Sequence, residues 1–178
     1  MGADSGCARR GAALSGGMTG RWIWKAAVAG FCGSAAHTLL MYLKSRSGLL
    51  PTFQPYESLQ ATLGHLTGGE IHPIVPWAMS FLNGSTILGL CFGRFYSSLP
   101  GNSGAAKGAT FGIFGWLLMG FVFFPLVGLG LFAGKLDLAV WPAVFSLAMI
   151  LAYSVVLGVV YAALNSWGEV VPPRAGIK

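Results

Sequence analysis

The chain has 178 residues, of which 54% are hydrophobic and 9% are charged, and its mean hydropathy is +0.68. Soluble domains usually contain about half apolar and about a quarter charged residues. The shortage of charge excludes a water-soluble fold and predicts an integral membrane protein. The net charge of +6 does not require a nucleic-acid partner, because membrane topology accounts for the basic residues.

The N-terminal segment is rich in Gly, Ala and Ser and has no apolar period, which predicts a disordered cytoplasmic tail over residues 1–21. Met18 is an alternative start, since the sequence MTGRWIWK that begins there is a normal lead-in to a first span. A second cytoplasmic tail is predicted at residues 165–178.

Four continuous apolar segments are long enough to cross a bilayer, whose hydrocarbon core of about 30 Å needs roughly 20 helical residues. They are residues 22–43, 74–96, 108–132 and 139–164. A β-barrel is a poor alternative, because its strands are short and alternate between apolar and polar residues. We therefore predict an all-α polytopic membrane protein with one four-helix transmembrane bundle over residues 22–164.

Basic residues orient the predicted bundle. If the N-terminus is cytoplasmic, eight Lys and Arg lie inside, and they are Arg9, Arg10, Arg21, Lys25, Arg94, Lys107, Arg174 and Lys178. Three lie outside, and they are Lys44, Arg46 and Lys135. The positive-inside rule then predicts that both termini are cytoplasmic. The basic inner rim could also hold anionic membrane lipid.

The longest connection, residues 44–73, contains the sequence PYESLQATLGHL. Its apolar residues Tyr56, Leu59, Leu63 and Leu66 share one helical face. Pro55 suits the first turn of a helix. The pattern predicts a short amphipathic helix in the first outer loop, lying on the membrane surface or capping the bundle.

Each span carries small residues at a helical spacing, which lets helix backbones approach one another in lipid. The stripes are Ala26, Gly30, Ser34 and Thr38; Ser85, Gly89 and Gly93; Gly108, Gly112 and Gly120; and Ser154, Gly158 and Ala162. They predict a tight bundle with little internal space. Pro125 is expected to kink the third span, either as a hinge or cavity wall or, as we favour from the sequence, as a packing feature.

Three polar residues are predicted at a similar depth inside the spans: His37, Asn83 and Ser146. Polar groups are costly in lipid and often functional. One interpretation is a polar site for a ligand headgroup, a quinone oxygen or a proton. The other, which we favour from the sequence, is a hydrogen bond between His37 and Asn83 that fixes helix register.

The sequence assigns no catalytic residue, cofactor or metal. A bis-histidine haem site requires two histidines on facing helices, and His37 stands alone within the predicted spans. His65, Glu70 and His72 are suitable metal ligands by residue type, but their spacing matches no compact motif. A nucleophile elbow and a phosphate-binding loop are also missing.

The segments GLLPTFQPYESLQATLG, PWAMSFLNG, LPGNSGAAKGATFGIFGWLLMGFVFFPLVGLGLFAG and SVVLGVVYAAL together resemble an uncharacterised family of small bacterial four-span membrane proteins, a domain of unknown function. The resemblance runs from about Trp22 to Leu164 and is most specific in the LPG loop, the following KG and the Gly-rich third span. It implies the architecture and a location in the bacterial inner (cytoplasmic) membrane. It implies no activity.

Members of this family often carry a histidine in the second span and another in the fourth. The matching positions here are Ser80 and Ile150, so a metal or haem site does not transfer by resemblance.

Three functions fit the sequence. The preferred one is a non-catalytic accessory, assembly or stabilising subunit that packs against other membrane-protein subunits or against copies of itself. The alternative is a small transporter or channel component with a polar site near His37 and Asn83. The third is a membrane enzyme that uses His65, Glu70 and His72.

Overall fold

The computed structural model describes residues 5–48 and 52–167, with side chains described from Arg21 onward. In this part of the chain all regular elements are helical, and four helices are long and apolar enough to cross a membrane. This confirms the predicted all-α, four-span membrane fold. The main helices are α1 (Ser5–Ser47), α2 (Pro55–Thr67), α3 (Ile74–Phe95), α4 (Gly104–Leu126) and α5 (Trp141–Trp167).

Helix α1 begins at Ser5 and so includes most of residues 1–21, the segment for which the sequence predicts a disordered tail. No proline precedes Pro51, and Ala, Arg and Leu in this segment are strong helix formers, so nothing stops the first span from extending towards the N-terminus. Residues 1–4, and residues 168–178 of the predicted C-terminal tail, lie outside the described residues.

Helix α4 begins and ends earlier than predicted. The Ser103 hydroxyl caps its first turn by accepting a hydrogen bond from the Ala106 N–H at 3.1 Å. Pro125 lies one residue before the last residue of the helix, so the expected kink is in fact a terminus. The chain then reverses through Gly128 and Gly130, whose φ angles are 82° and 76°. Such left-handed conformations favour glycine.

Helix α5 packs against both α1 and α4, and α3 also packs against α1. Helices α3 and α4 make few contacts with each other. At the end remote from α2, an aromatic cluster fills the interior, with Phe92 and Tyr161 rings 5.7 Å apart. There Lys25 on α1 also donates a hydrogen bond to Asn165 on α5 at 2.9 Å.

The α2 end has a separate apolar cluster. Phe53, which precedes α2, is buried against Phe124 at the end of α4, with ring centroids 5.8 Å apart. Val127, Leu129 and Ala133 of the α4–α5 connection complete the cluster. The bundle therefore has two packed ends with the middle of the spans between them.

The predicted small residues lie mostly where two helices of this chain meet. A Cβ atom at Gly30 would lie 2.6 Å from the Ser85 carbonyl oxygen and 3.1 Å from the Gly89 Cα. Likewise, a Cβ at Gly158 would lie 3.0 Å from the Gly108 Cα. Among the other predicted packing residues, Gly93 faces the Ala26 Cβ, Gly112 faces the Ser154 side chain, Gly120 faces the Phe132 ring, and Ser34 faces Gly84.

Candidate functional site

A cavity of about 500 Å³ lies between α1, α3, α4 and α5 in the half of the bundle next to α2. Phe53, Pro55, Tyr56 and Leu59 form its wall at the α2 end. The expectation of little internal space is therefore wrong for this half. The reason is that the closest helix contacts lie nearer the other end, while larger side chains separate the helices here.

The cavity brings together the three predicted polar residues His37, Asn83 and Ser146. Within the described part of the chain, the side chains of His37 and Asn83 form no hydrogen bond, so the expected link between them is absent. The hydrogen-bonding groups of both side chains are therefore available to a ligand.

Ser146 is held differently. Its hydroxyl donates to the Ala143 carbonyl at 2.9 Å and accepts from the Trp116 indole N–H at 3.1 Å. The same indole N–H lies 3.1 Å from the Ala143 carbonyl oxygen. Because these bonds join α4 to α5, Ser146 fixes the wall of the cavity.

The hydroxyls of Ser34 and Ser154 also line the cavity. Both are buried without a hydrogen-bond partner among the described residues. Buried hydroxyls are nearly always paired. The sequence pattern predicts only a packing role for both serines, as members of the small-residue stripes.

The α3 wall is distorted beside the cavity. Residues Gly84–Leu88 form a π-helical turn, in which the Gly89 N–H donates to the Gly84 carbonyl. The Tyr153 hydroxyl of α5 donates to the same carbonyl at 2.7 Å. The Ser85 hydroxyl bonds the Phe81 carbonyl four residues earlier at 2.8 Å, and such back-bonding disturbs regular helices.

Helix α4 has a matching π turn at Met119–Phe123. It ends two residues before Pro125, which has no N–H and cannot close the regular hydrogen-bond ladder. Wide turns of this type are frequent at functional sites. In this chain both border the cavity.

Helix α2 is fastened over the cavity. The Tyr56 hydroxyl donates to the Ser80 hydroxyl of α3 at 3.1 Å, and its ring lies 4.6 Å from that of Trp77. The Gln60 amide donates to the Ile71 carbonyl at 2.6 Å. Burial raises the pKa of the Tyr56 phenol, and the hydrogen bond to Ser80 opposes this shift.

Lys44 supports the same end from α1. Its side chain is 3% exposed, and its ammonium group donates to the Phe53 carbonyl and to the Gln54 side chain. The sequence placed Lys44 in an outer loop as a topology signal, so its structural role was missed.

The cavity opens between α3 and α4. Three apolar residues that line it are strongly exposed: Met79 at 45%, Leu118 at 63% and Val122 at 54%. Asn83 is exposed in the same gap. Because this opening lies within membrane-spanning helices, it faces the bilayer.

A second hollow of about 720 Å³ is a shallow groove on the outer surface of α1 and α3. Its walls are mainly apolar, with Thr38 and His72 as exceptions. The His72 imidazole accepts a hydrogen bond from the Ile74 N–H at 3.2 Å. His65 and Glu70 are exposed, and the described residues contain no group of three metal-binding side chains.

Comparison with known protein families identifies the family of this chain. The sequence profile described as "Family of unknown function (DUF6789)" matches residues 20–169. Neither a curated protein nor a solved structure matches the chain significantly.

Proposed function

We propose that this chain, which belongs to the family of unknown function DUF6789, is a non-catalytic membrane protein whose cavity binds a small amphiphilic molecule. The supporting observation is that His37 and Asn83, two polar side chains without a hydrogen-bond partner in the described structure, line the same largely apolar cavity. This develops the polar-site alternative that the sequence left open.

The composition of the cavity wall suits such a ligand. Small-molecule sites are mostly apolar, have volumes of roughly 300–1,000 Å³ and carry a few polar groups that orient the ligand. The wall here includes Phe111, Phe145 and Met149 for an apolar body. His37 and Asn83 would bind a polar group at its end.

A binding protein fits the geometry better than an open channel. The described residues that line the cavity are confined to the half of the spans next to α2 and to their middle. Towards the other end, Phe92 and Leu157 are fully buried and fill the interior. A solute moving along the bundle axis would have to displace this cluster.

Gly115 offers a direct test. It lines the cavity, and a Cβ atom there would meet nothing within 4 Å. The Cβ of Gly115→Leu should therefore meet no neighbouring atom, and the rest of its side chain should occupy ligand space. Gly134→Leu is the matched control, since Gly134 is equally open but lies outside the cavity.

Native mass spectrometry of tagged protein, extracted from membranes in mild detergent, would measure retained small molecules. We expect an adduct on the wild-type protein and on Gly134→Leu, and its loss from Gly115→Leu. Equal adducts on all three proteins, or none on any, would contradict the proposed function.

The accessory-subunit function stays a prediction. The small residues that motivated it, such as Gly30 and Gly158, face other helices of the same chain, so they do not call for a partner. Mild-detergent purification that repeatedly yields the same second membrane protein would support it, and purely monomeric protein would count against it.

We also propose a location in the bacterial inner membrane with both termini cytoplasmic. The excess of basic residues on one side supports this orientation. At the C-terminus, a fused reporter that works only in the cytoplasm should be active, and one that works only in the periplasm should be inactive.

A further inference from the structure

We propose, building on the proposed function, that the ligand is an uncharged lipid-soluble molecule and that it moves between the cavity and the bilayer through the gap between α3 and α4. We call this gap the lateral mouth and define it by Met79, Asn83, Leu118 and Val122.

The lateral mouth exists because α3 and α4 meet at one end and separate towards the other. At the end remote from α2, the rings of Phe92 and Phe111 are 5.3 Å apart. The Lys107 ammonium donates to the Tyr96 carbonyl at 2.8 Å. Nearer α2, the described residues of the two helices form no hydrogen bond or ring contact with each other.

The shape of the gap favours a lipid-like molecule over a helix from another protein. A transmembrane helix would run the full thickness of the hydrocarbon core, about 30 Å. Here the contact between Phe92 and Phe111 closes the gap partway along the spans. The lateral mouth therefore opens into the hydrocarbon of the half of the bilayer next to α2, where a lipid-soluble molecule can enter sideways.

The chemistry of the cavity favours an uncharged ligand. None of the described residues that line it is Asp, Glu, Lys or Arg. The nearby Lys44 ammonium is already bonded to Phe53 and Gln54. A carboxylate, phosphate or ammonium group would lose its hydration here without an opposite charge in return.

Asn83 would provide the first polar contact. It lies in the lateral mouth, near the middle of α3, with no partner among the described side chains. An amide offers two donors and one acceptor oxygen, so it can bind either a hydroxyl or a carbonyl oxygen. The polar end of the ligand would pass Asn83 and reach His37, while its apolar chain remains towards the lipid.

Three photoactivatable probes of similar chain length can test whether the cavity prefers an uncharged ligand. They are hexadecanol, palmitate and hexadecyltrimethylammonium, each carrying a diazirine. They would be added at equal membrane concentration to vesicles containing the full-length protein, and labelled residues would be mapped by mass spectrometry. We expect hexadecanol to label cavity-lining residues about tenfold more than either charged probe, a factor equivalent to about 1.4 kcal/mol.

Val122→Trp tests the route. Val122 is 54% exposed in the lateral mouth, so the indole ring of a tryptophan there can narrow the gap without entering a packed core. Val144→Trp is the matched control, because Val144 is 50% exposed near the same end of α5 and does not line the cavity. Leu118→Trp changes a second exposed position in the lateral mouth, so the test remains possible if Val122→Trp does not fold.

Energy transfer from tryptophan to pyrene-labelled hexadecanol, followed after rapid mixing, would give the exchange rates. Both mouth variants should slow association and dissociation about tenfold, equivalent to about 1.4 kcal/mol in the barrier. Val144→Trp should exchange at the wild-type rate. Size-exclusion chromatography would verify that each variant is folded.

The outcomes separate this inference from the proposed function. If hexadecanol labels the cavity and Gly115→Leu abolishes labelling, but folded mouth variants exchange at the control rate, the lateral route is wrong and the binding function survives. Equal or stronger cavity labelling by a charged probe would overturn the assignment of an uncharged ligand. Labelling of lipid-facing residues alone by all three probes would contradict both proposals.

Discussion

The contact between Gly30 and α3 gives the most quantitative prediction. A Cβ atom at Gly30 would lie 2.6 Å from the Ser85 carbonyl oxygen, whereas ordinary contact begins at 3.4 Å. The difference, 3.4 − 2.6 = 0.8 Å, is the distance by which the helices must separate locally. The other nearest atoms, the Gly84 carbonyl oxygen and the Gly89 Cα, also belong to the backbone. Rotation of a side chain therefore cannot relieve the clash.

Overpacking of this kind costs about 1–3 kcal/mol, so Gly30→Ala should destabilise the bundle by that amount. Gly115→Ala is the matched change, because its Cβ would meet nothing within 4 Å. Replacement of a helical glycine by alanine there should be neutral or should stabilise the helix by up to about 1 kcal/mol. The two substitutions are chemically identical, so their difference isolates the helix contact.

Unfolding in mixed micelles by a titration with sodium dodecyl sulfate, followed by circular dichroism, would measure both free energies. Gly30→Ala should unfold at a lower detergent fraction than the wild type, and Gly115→Ala at an equal or higher fraction. Identical midpoints for the two variants, or a more stable Gly30→Ala, would refute the assignment of Gly30 to a backbone contact.

Three further outcomes follow from individual contacts. Tyr153→Phe removes the hydrogen bond to the Gly84 carbonyl and should cost about 0.6–1.7 kcal/mol in the same unfolding assay; an unchanged midpoint would contradict this. Lys44→Met releases the segment before α2 and should accelerate proteolysis there, whereas Arg46→Met, at an exposed position, should not. Because burial raises the folded-state pKa of Tyr56 above its ordinary value of 10.0, the folded state holds the phenolic proton more tightly. Its stabilising contribution is then complete below pH 10, is lost as the pH rises through the folded pKa, and should vanish in Tyr56→Phe, as pH-dependent unfolding would show.

The spans and α2 could be predicted because each depends on local properties. Bilayer thickness requires about 20 apolar residues per helix, and the pattern of Tyr56, Leu59 and Leu63 predicts a helix without knowledge of its neighbours. Pro125 could be recognised as a disturbance of the third span. Its effect depended on the residues that follow, since the left-handed Gly128 and Gly130 convert a possible kink into a helix end.

The site could be predicted only in part, because its geometry depends on which helices meet. Because polar groups are costly in lipid, the sequence predicts a polar site at His37 and Asn83. Both residues line the cavity. Tyr153 gave no such signal, because its partner is a backbone carbonyl 69 positions away in the sequence. The sequence predicts Lys44 only as an outer topology signal, because its partners are in a loop that folds back over the helix end.

The positions of the small residues within each span, rather than their number, indicate where the helices are in close contact. Of the glycines predicted for packing, Gly89, Gly93, Gly108 and Gly158 lie in the halves of their helices remote from α2, whereas Gly120 lies in the other half against the Phe132 ring. The other halves present Phe81, Met119, Phe123, Phe145 and Met149 to the interior. Helices held close at one end and kept apart by large side chains at the other must diverge, because α-helices bend only gently. The same glycines that predicted a bundle without internal space therefore produce the cavity, and they place its opening in the half of the bilayer next to α2.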